Sequence, residues 1–298
     1  MTPAEKQFLQ RNKLPDNYLE SANRWFAPLV AEFAKAIESE LKSPLIIGIN
    51  GTQGSGKSTL ADYMCTMLGE RKLRTVSLSL DDFYLTHAER QTLADTVHPL
   101  LKTRGVPGTH DIALALTTIN SLIEGSGETL IPRFDKSTDD RHLEADCDLV
   151  SGAVDVIIFE GWCVGSKPQP DEALAKAVNS LEQNSDADGS WRNFVNHALT
   201  KDYEPLFDIL DGLIMLRAPS FDTVFNWRLE QEQKMIARLK SQDDADYSGV
   251  MSEAQIAEFI AHYQRITEHS LEEMPSRADH LFQLDTQRQI IEYRQLGS

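Results

Sequence analysis

Apolar residues early in the chain recur with the spacing of a helix. Tyr18, Trp25, Leu29, Phe33, Ile37 and Leu41 lie four and seven positions apart, which predicts helix over residues 16–41. Ser43-Pro44 ends the pattern, because the residue before a proline is pushed out of the helical region. The next six residues, Leu45-Ile46-Ile47-Gly48-Ile49-Asn50, are mostly apolar without alternation, as in a parallel strand buried on both faces. Similar runs return at 75–80, 154–159, 213–216 and, more weakly, 280–284, with helical patterns between them. Strands alternating with helices imply βαβ units, an α/β fold with a central, mostly parallel sheet flanked by helices, and ligands at the carboxyl ends of the strands. The expected organisation is a helical extension over 1–43 and one α/β domain over 44–298. A polar stretch at about 165–210 reads as a surface insertion, and no internal repeat is found.

Composition narrows this picture. Hydrophobic residues are 41% and charged residues 25% of the 298, enough apolar material for a buried sheet. With 29 Lys and Arg against 46 Asp and Glu, the net charge of −17 repels nucleic acid and anionic lipid, so polyanionic partners are not expected. An acidic chain that handles a phosphorylated ligand must gather its few cations in one place. Cys65, Cys147 and Cys163 fit neither a disulfide framework nor a zinc site and suggest a reducing cytoplasm. The start, MTPAEKQFLQ, has no signal-peptide character, and no apolar run approaches the roughly 18 residues of a membrane helix.

Gly51-Thr52-Gln53-Gly54-Ser55-Gly56-Lys57-Ser58 matches G-x-x-x-x-G-K-S/T between a predicted strand and a predicted helix. Backbone N–H groups of such a loop cradle phosphate, the helix N-terminus adds positive charge, Lys57 reaches the β and γ phosphates, and Ser58 can ligate magnesium. An ordinary Gly-rich turn would not be flanked in this way. The nucleotide-binding candidates are therefore Gly51, Thr52, Gln53, Gly54, Ser55, Gly56, Lys57, Ser58 and Thr59, with ATP and Mg2+ as the implied ligands. P-loops serve many machines, and the other strand ends discriminate. The only Asn-Lys pair, Asn12-Lys13, precedes the loop and lacks the Asp that guanine recognition needs, and the 154–161 strand ends in Glu160 without an Asp-Glu pair. The second strand delivers Asp81-Asp82-Phe83-Tyr84 to the same edge. Phosphoryl transfer to an alcohol needs a proton acceptor and a bound metal, and Asp81 and Glu160 suit those tasks. Each acid alone could equally be a helix cap or a solvated loop residue; their shared placement at strand ends favours chemistry.

The P-loop, Asp81-Asp82-Phe83-Tyr84 and Phe159-Glu160-Gly161 together resemble the kinase group that includes uridine kinase, phosphoribulokinase and bacterial pantothenate kinase. More specific strings resemble the D-glycerate 3-kinase family from about Leu45 to Tyr293. They are Arg104-Gly105-Val106-Pro107-Gly108-Thr109-His110-Asp111, Pro132-Arg133-Phe134-Asp135-Lys136-Ser137, Glu160-Gly161-Trp162, and Trp227-Arg228-Leu229-Glu230-Gln231-Glu232. The resemblance implies a three-layer P-loop NTPase fold with a lid over about 219–245. It makes Asp81 the catalytic base, Lys57 the phosphate clamp, Ser58, Asp81 and Glu160 metal-site residues, and Arg228 part of the lid closing on ATP. It also implies an acceptor site drawn from Tyr84, Arg104, His110, Asp111, Arg133 and Lys136, with D-glycerate as acceptor. One departure is local: Asp135-Lys136-Ser137 leads straight to Thr138-Asp139-Asp140-Arg141, where plant members carry a longer Gly-rich loop.

Independently of the resemblance, His98, Lys102, Arg104, His110, Arg133, Lys136, Arg141 and His142 crowd one segment. Surface salt bridging accounts for His98, Lys102 and His142, while Arg133, His110 and Lys136 are the expected anchors for an acceptor carboxylate. Pantothenate, a nucleoside or a sugar as acceptor, or a nucleotide-binding regulator without turnover, stay open at the level of sequence. Trp191, Phe194, Trp227 and the apolar face of the helix from Glu253 read as packing, and Cys65 as a small buried residue.

Overall fold

The computed structural model describes residues 1–39, 43–239 and 251–296. Leu41 of the predicted first helix and the end of the expected 219–245 lid lie outside the described residues. Six strands form the central sheet. In chain order β1 is Leu45–Gly51, β2 Thr75–Ser79, β3 to β6 are the short pieces Glu128–Ile131, Phe134–Asp135, Asp140–Arg141 and Asp148–Ser151, β7 is Val156–Gly161, β8 Gly212–Arg217, β9 His280–Leu284 and β10 Ile290–Gln295. The order across the main sheet is β10-β9-β8-β1-β7-β2, parallel except for the edge strand β10. The short strands make two separate hairpins, β3 with β6 and β4 with β5.

Alternation along β1 sorts its side chains to two cores. Leu45, Ile47 and Ile49 join a cluster with the N-terminal helices, and Ile46 joins the opposite one. The first face is covered by α1 (Pro3–Asn12), α2 (Tyr18–Trp25), α3 (Ala27–Glu38), α4 (Lys57–Glu70) and, toward the P-loop, α11 (Phe221–Leu239). The expected helix over 16–41 is two helices, because Pro28 in the first turn of α3 cannot donate to the preceding turn. The opposite face is covered by α6 (Ile112–Glu124) and the helices of the 165–210 segment.

That segment is not the polar surface insertion its composition suggests. It folds as α7 (Asp171–Leu174), α8 (Ser180–Ser185), α9 (Ser190–Ala198) and α10 (Glu204–Phe207), and it buries Trp191, Val195, Leu199 and Tyr203 in the main core. Helix α12 (Glu253–Glu273) contributes Ile256 and Ile260 to one core and Tyr263 and Ile266 to the other. Trp227 is buried, while Cys65 is only half-buried. No helix among the described residues is long and apolar enough to cross a membrane.

Candidate active site

The register of the sheet assembles the site. Glu160, near the end of β7, lies opposite Ile49 on one side and Ser79 on the other, so one carboxylate stands between the P-loop strand and the strand that leads to Asp81. Gly56 caps α4 with φ +92, a conformation that side chains resist, and a Cβ there would meet nothing within 4 Å. Space is thus open in front of a helix N-terminus. The Ser58 hydroxyl donates to Glu160 Oε1 at 2.7 Å, and Lys57 Nζ lies 3.9 Å from Glu160 Oε2. That second oxygen and the side-chain oxygens of Thr52, Gln53 and Ser55 are buried without hydrogen-bond partners. Buried polar atoms left unpaired are costly unless a ligand satisfies them. Their chemistry, hydroxyls, an amide oxygen and a carboxylate at a helix N-terminus, fits phosphate and a hard cation such as magnesium. No group of three or more His, Cys, Asp or Glu side chains is gathered around a potential metal among the described residues. Magnesium held mainly through nucleotide phosphates needs only one or two protein oxygens.

Asp81 lies in the 3-10 turn Leu80–Phe83 that follows β2. Tyr84 donates to its Oδ1 at 2.8 Å and Lys136 to its Oδ2 at 2.6 Å. Burial pushes this carboxyl up, but Lys136 and Lys57 pull harder, and the group sits well below the usual carboxylate range. Asp82 points elsewhere, to Arg133 at 2.7 Å and the Phe134 amide at 3.3 Å, and burial leaves its pKa raised.

A cavity of about 740 Å³ opens beside these groups, lined on the P-loop side by Gln53, Lys57 and Arg228, and elsewhere by Asp81, Tyr84, Arg90, Lys102, Arg104, Lys136 and Asp139. In a chain of net charge −17, this lining carries Lys57, Arg90, Lys102, Arg104, Lys136 and Arg228 against Asp81, Asp139 and Glu232. The cations are therefore concentrated where two anions would meet. Arg228 pairs with Glu232 at 2.9 Å.

Of the expected acceptor residues, Tyr84, Arg104 and Lys136 line the cavity, and Arg133, His110 and Asp111 do not. Arg133 is drawn off by Asp82 and by Asp148, the latter at 2.5 Å on the neighbouring hairpin. His110 is no cation: burial lowers its pKa to about 3. Tyr203 accepts from the Gly108 amide at 3.1 Å and shares a hydrogen bond with His110 Nδ1, and the imidazole stacks on Tyr84 at 4.5 Å. Asp111 caps α6 through the Leu114 amide at 2.9 Å and accepts from Arg141 at 3.0 Å. Lys102 is exposed, as expected of a surface group, yet it also stands on the cavity wall, and Arg90 joins it there, although nothing in its polar helix, α5 (His87–Thr96), distinguishes it from a solvated side chain.

No family model matches the chain. It is 38% identical over 247 residues to the uncharacterized kinase mug58 of Schizosaccharomyces pombe, which covers 79% of this chain and 85% of that one. The chloroplastic D-glycerate 3-kinase of Arabidopsis thaliana is 30% identical over 230 residues, 74% of this chain and 46% of that longer protein. The structure of D-glycerate 3-kinase from Cryptococcus neoformans superposes with a TM-score of 0.71 at 28% identity, covering 90% of this chain and 99% of that one. The chain belongs to the P-loop kinase family that includes D-glycerate 3-kinases. It is an ATP-dependent small-molecule kinase with the P-loop kinase fold.

Proposed function

We propose that this kinase transfers the γ-phosphate of magnesium-bound ATP to a hydroxyl of D-glycerate. The observation that carries the reading is the cation-lined cavity continuous with the P-loop, with the ionised Asp81 on its wall. Such a cavity suits an acceptor that is itself an anion, because charge-assisted hydrogen bonds hold it beside ATP. The kinship with D-glycerate 3-kinases supports the same acceptor. In this reading the loop from Gly51 to Thr59 wraps the phosphates, Lys57 holds the transferring group, and Arg228 closes from α11. Ser58 and Glu160 would hold the metal, which would supply neutralisation of the charge developing on the transferring phosphate. Asp81 accepts the hydroxyl proton, helped by the Tyr84 hydrogen bond that orients it. Release of Lys136 from Asp81 would raise the basicity of that carboxylate, which the ammonium holds down. The unpaired cysteines fit a reducing cytoplasm, and the acidic surface fits no nucleic-acid partner.

The test is an ADP-release assay over D-glycerate, L-glycerate, pantothenate, uridine, ribulose 5-phosphate and shikimate with magnesium-ATP. Turnover of D-glycerate well above the others is expected. Turnover of an uncharged alcohol, with D-glycerate ignored, would overturn the acceptor and leave the kinase.

A further inference from the structure

Arg90 is buried to 1% exposure, rare for a guanidinium. It donates to the carbonyls of Leu85 at 3.1 Å, Lys102 at 2.8 Å and Asp139 at 2.7 Å. Those neutral partners fix its position but leave its charge to the Asp139 carboxylate, 2.9 Å away. Arg104, packed over the Phe134 ring at 5.5 Å, ends on the other oxygen of the same carboxylate, and His87 lies 3.3 Å from it. Asp139 stands in the turn between β4 and β5 with φ +57, a conformation few side chains adopt. The other end of that turn is Lys136, seated on Asp81. One short turn therefore sets an anion on two of the cavity's cations and a cation on its reactive carboxylate. A molecule with a carboxylate at one end and a hydroxyl at the other would need the same two places.

We propose that Asp139 is an internal stand-in for the acceptor's carboxylate, and that the acceptor binds by exchanging its own carboxylate onto Arg90 and Arg104 while the side chains of Asp139 and Lys136 swing away and the Asp139 backbone carbonyl stays on Arg90. This rests on the reading of the acceptor as an anion. Exchange of one carboxylate for another never leaves the buried Arg90 unpaired, which would be costly. An uncharged alcohol cannot make the exchange, so Asp139 sets specificity as well as holding the two arginines in place. Arg90 becomes an acceptor-binding residue in this scheme, and Asp139 its competitor.

The test is Asp139→Asn. Asparagine tolerates the left-handed conformation and keeps the backbone carbonyl that Arg90 uses, so the turn is retained. With the competitor gone, the KM for the carboxylate acceptor is expected to fall about tenfold, with kcat and the KM for ATP within about twofold of wild type. Propionate, a carboxylate without a hydroxyl, is expected to raise the melting temperature of the variant and not of the wild type. An acceptor KM that stays or rises, together with no effect of propionate, overturns the stand-in and leaves Asp139 a turn residue. If the asparagine variant does not fold, Asp139→Gly, also suited to this conformation, is measured in the same way. Failure of the proposed function is distinguishable: if the wild type phosphorylates no carboxylate acceptor, that reading falls, while the propionate shift still decides whether Asp139 covers a carboxylate site.

Discussion

Asp81 and Asp82 are adjacent, yet the 3-10 turn sends one to Lys136 and Tyr84 and the other to Arg133 and Phe134. Asp81→Asn is expected to lower kcat on the order of 10²-fold or more, the usual scale of general-base catalysis, with little change in the KM for ATP. Asp82→Asn is expected to leave kcat nearly intact and to lower stability in urea by about 1–3 kcal/mol, the scale of a charged hydrogen bond lost in a partly buried place. If the two variants exchanged these outcomes, the proton acceptor would be misassigned. Lys57→Ala is expected to abolish turnover with an unchanged circular dichroism spectrum, since its described ion-pair partner is Glu160 at 3.9 Å and its helix does not need the amine. The chemistry of these residues was legible because the P-loop and the strand ends are local patterns. The acceptor side was not: Arg133, Arg104 and Lys136 look alike in sequence, and the pairing of β3 with β6, which brings Asp148 to Ile131 and so near Arg133, is a long-range fact.

Between residues and fold, the P-loop is tied to the first turns of α11 by a residue from the β9–β10 hairpin. Arg288 donates to the Gly54 carbonyl at 2.8 Å, pairs with Glu230 at 2.6 Å and lies over the Trp227 ring at 5.1 Å. Trp227 in turn donates to the Thr286 carbonyl at 2.8 Å and crowds Gly54, where an added Cβ would come within 2.9 Å of Trp227 Cβ. Arg288→Ala unties the phosphate loop from the helix that carries Arg228. The KM for ATP is expected to rise by about three- to tenfold, with the acceptor KM unchanged, in a two-substrate kinetic analysis; the scale is that of losing one charged hydrogen bond of partial exposure. None of this clamp was visible in the chain, because β10 is an exposed edge strand whose Glu, Arg and Gln hide its alternation. Helix α1 lies within the expected helical extension over 1–43, but periodicity does not give its bounds, for another reason. Its start is well marked, with Thr2 and Glu5 forming a capping box and Pro3 at the first position, but it has few apolar residues to show a period.

For the whole molecule, the parallel strands of the sheet follow from apolar runs that periodicity reads well, whereas their order across the sheet and the role of the 165–210 segment do not. Its polar residues hide a buried set, and Tyr203 from its π-helical turn supports His110 beneath the site. That support has a consequence for acid stability. Burial holds His110 neutral with a pKa of about 3, against about 6.5 for a free imidazole. Between those values the unfolded chain binds a proton that the folded chain refuses, so stability rises with pH there. The contribution is complete above about pH 6.5 and is lost progressively as pH falls toward 3. Asp81 acts in the same direction but in a lower window, because its folded pKa is depressed below 3.8 and its contribution fades only as pH falls through that range. Between pH 6 and pH 4 the histidine therefore dominates this pair, at a slope of about 1.4 kcal/mol per pH unit for one proton. His110→Gln is expected to be less stable than wild type at pH 7, having lost the stacking on Tyr84, but to show a pH dependence shallower by about that slope. Urea unfolding midpoints at pH 7, 6, 5 and 4 for the two proteins measure it. Parallel curves would mean that His110 titrates near its free value in the folded protein and that its buried, neutral role beneath the cavity is wrong.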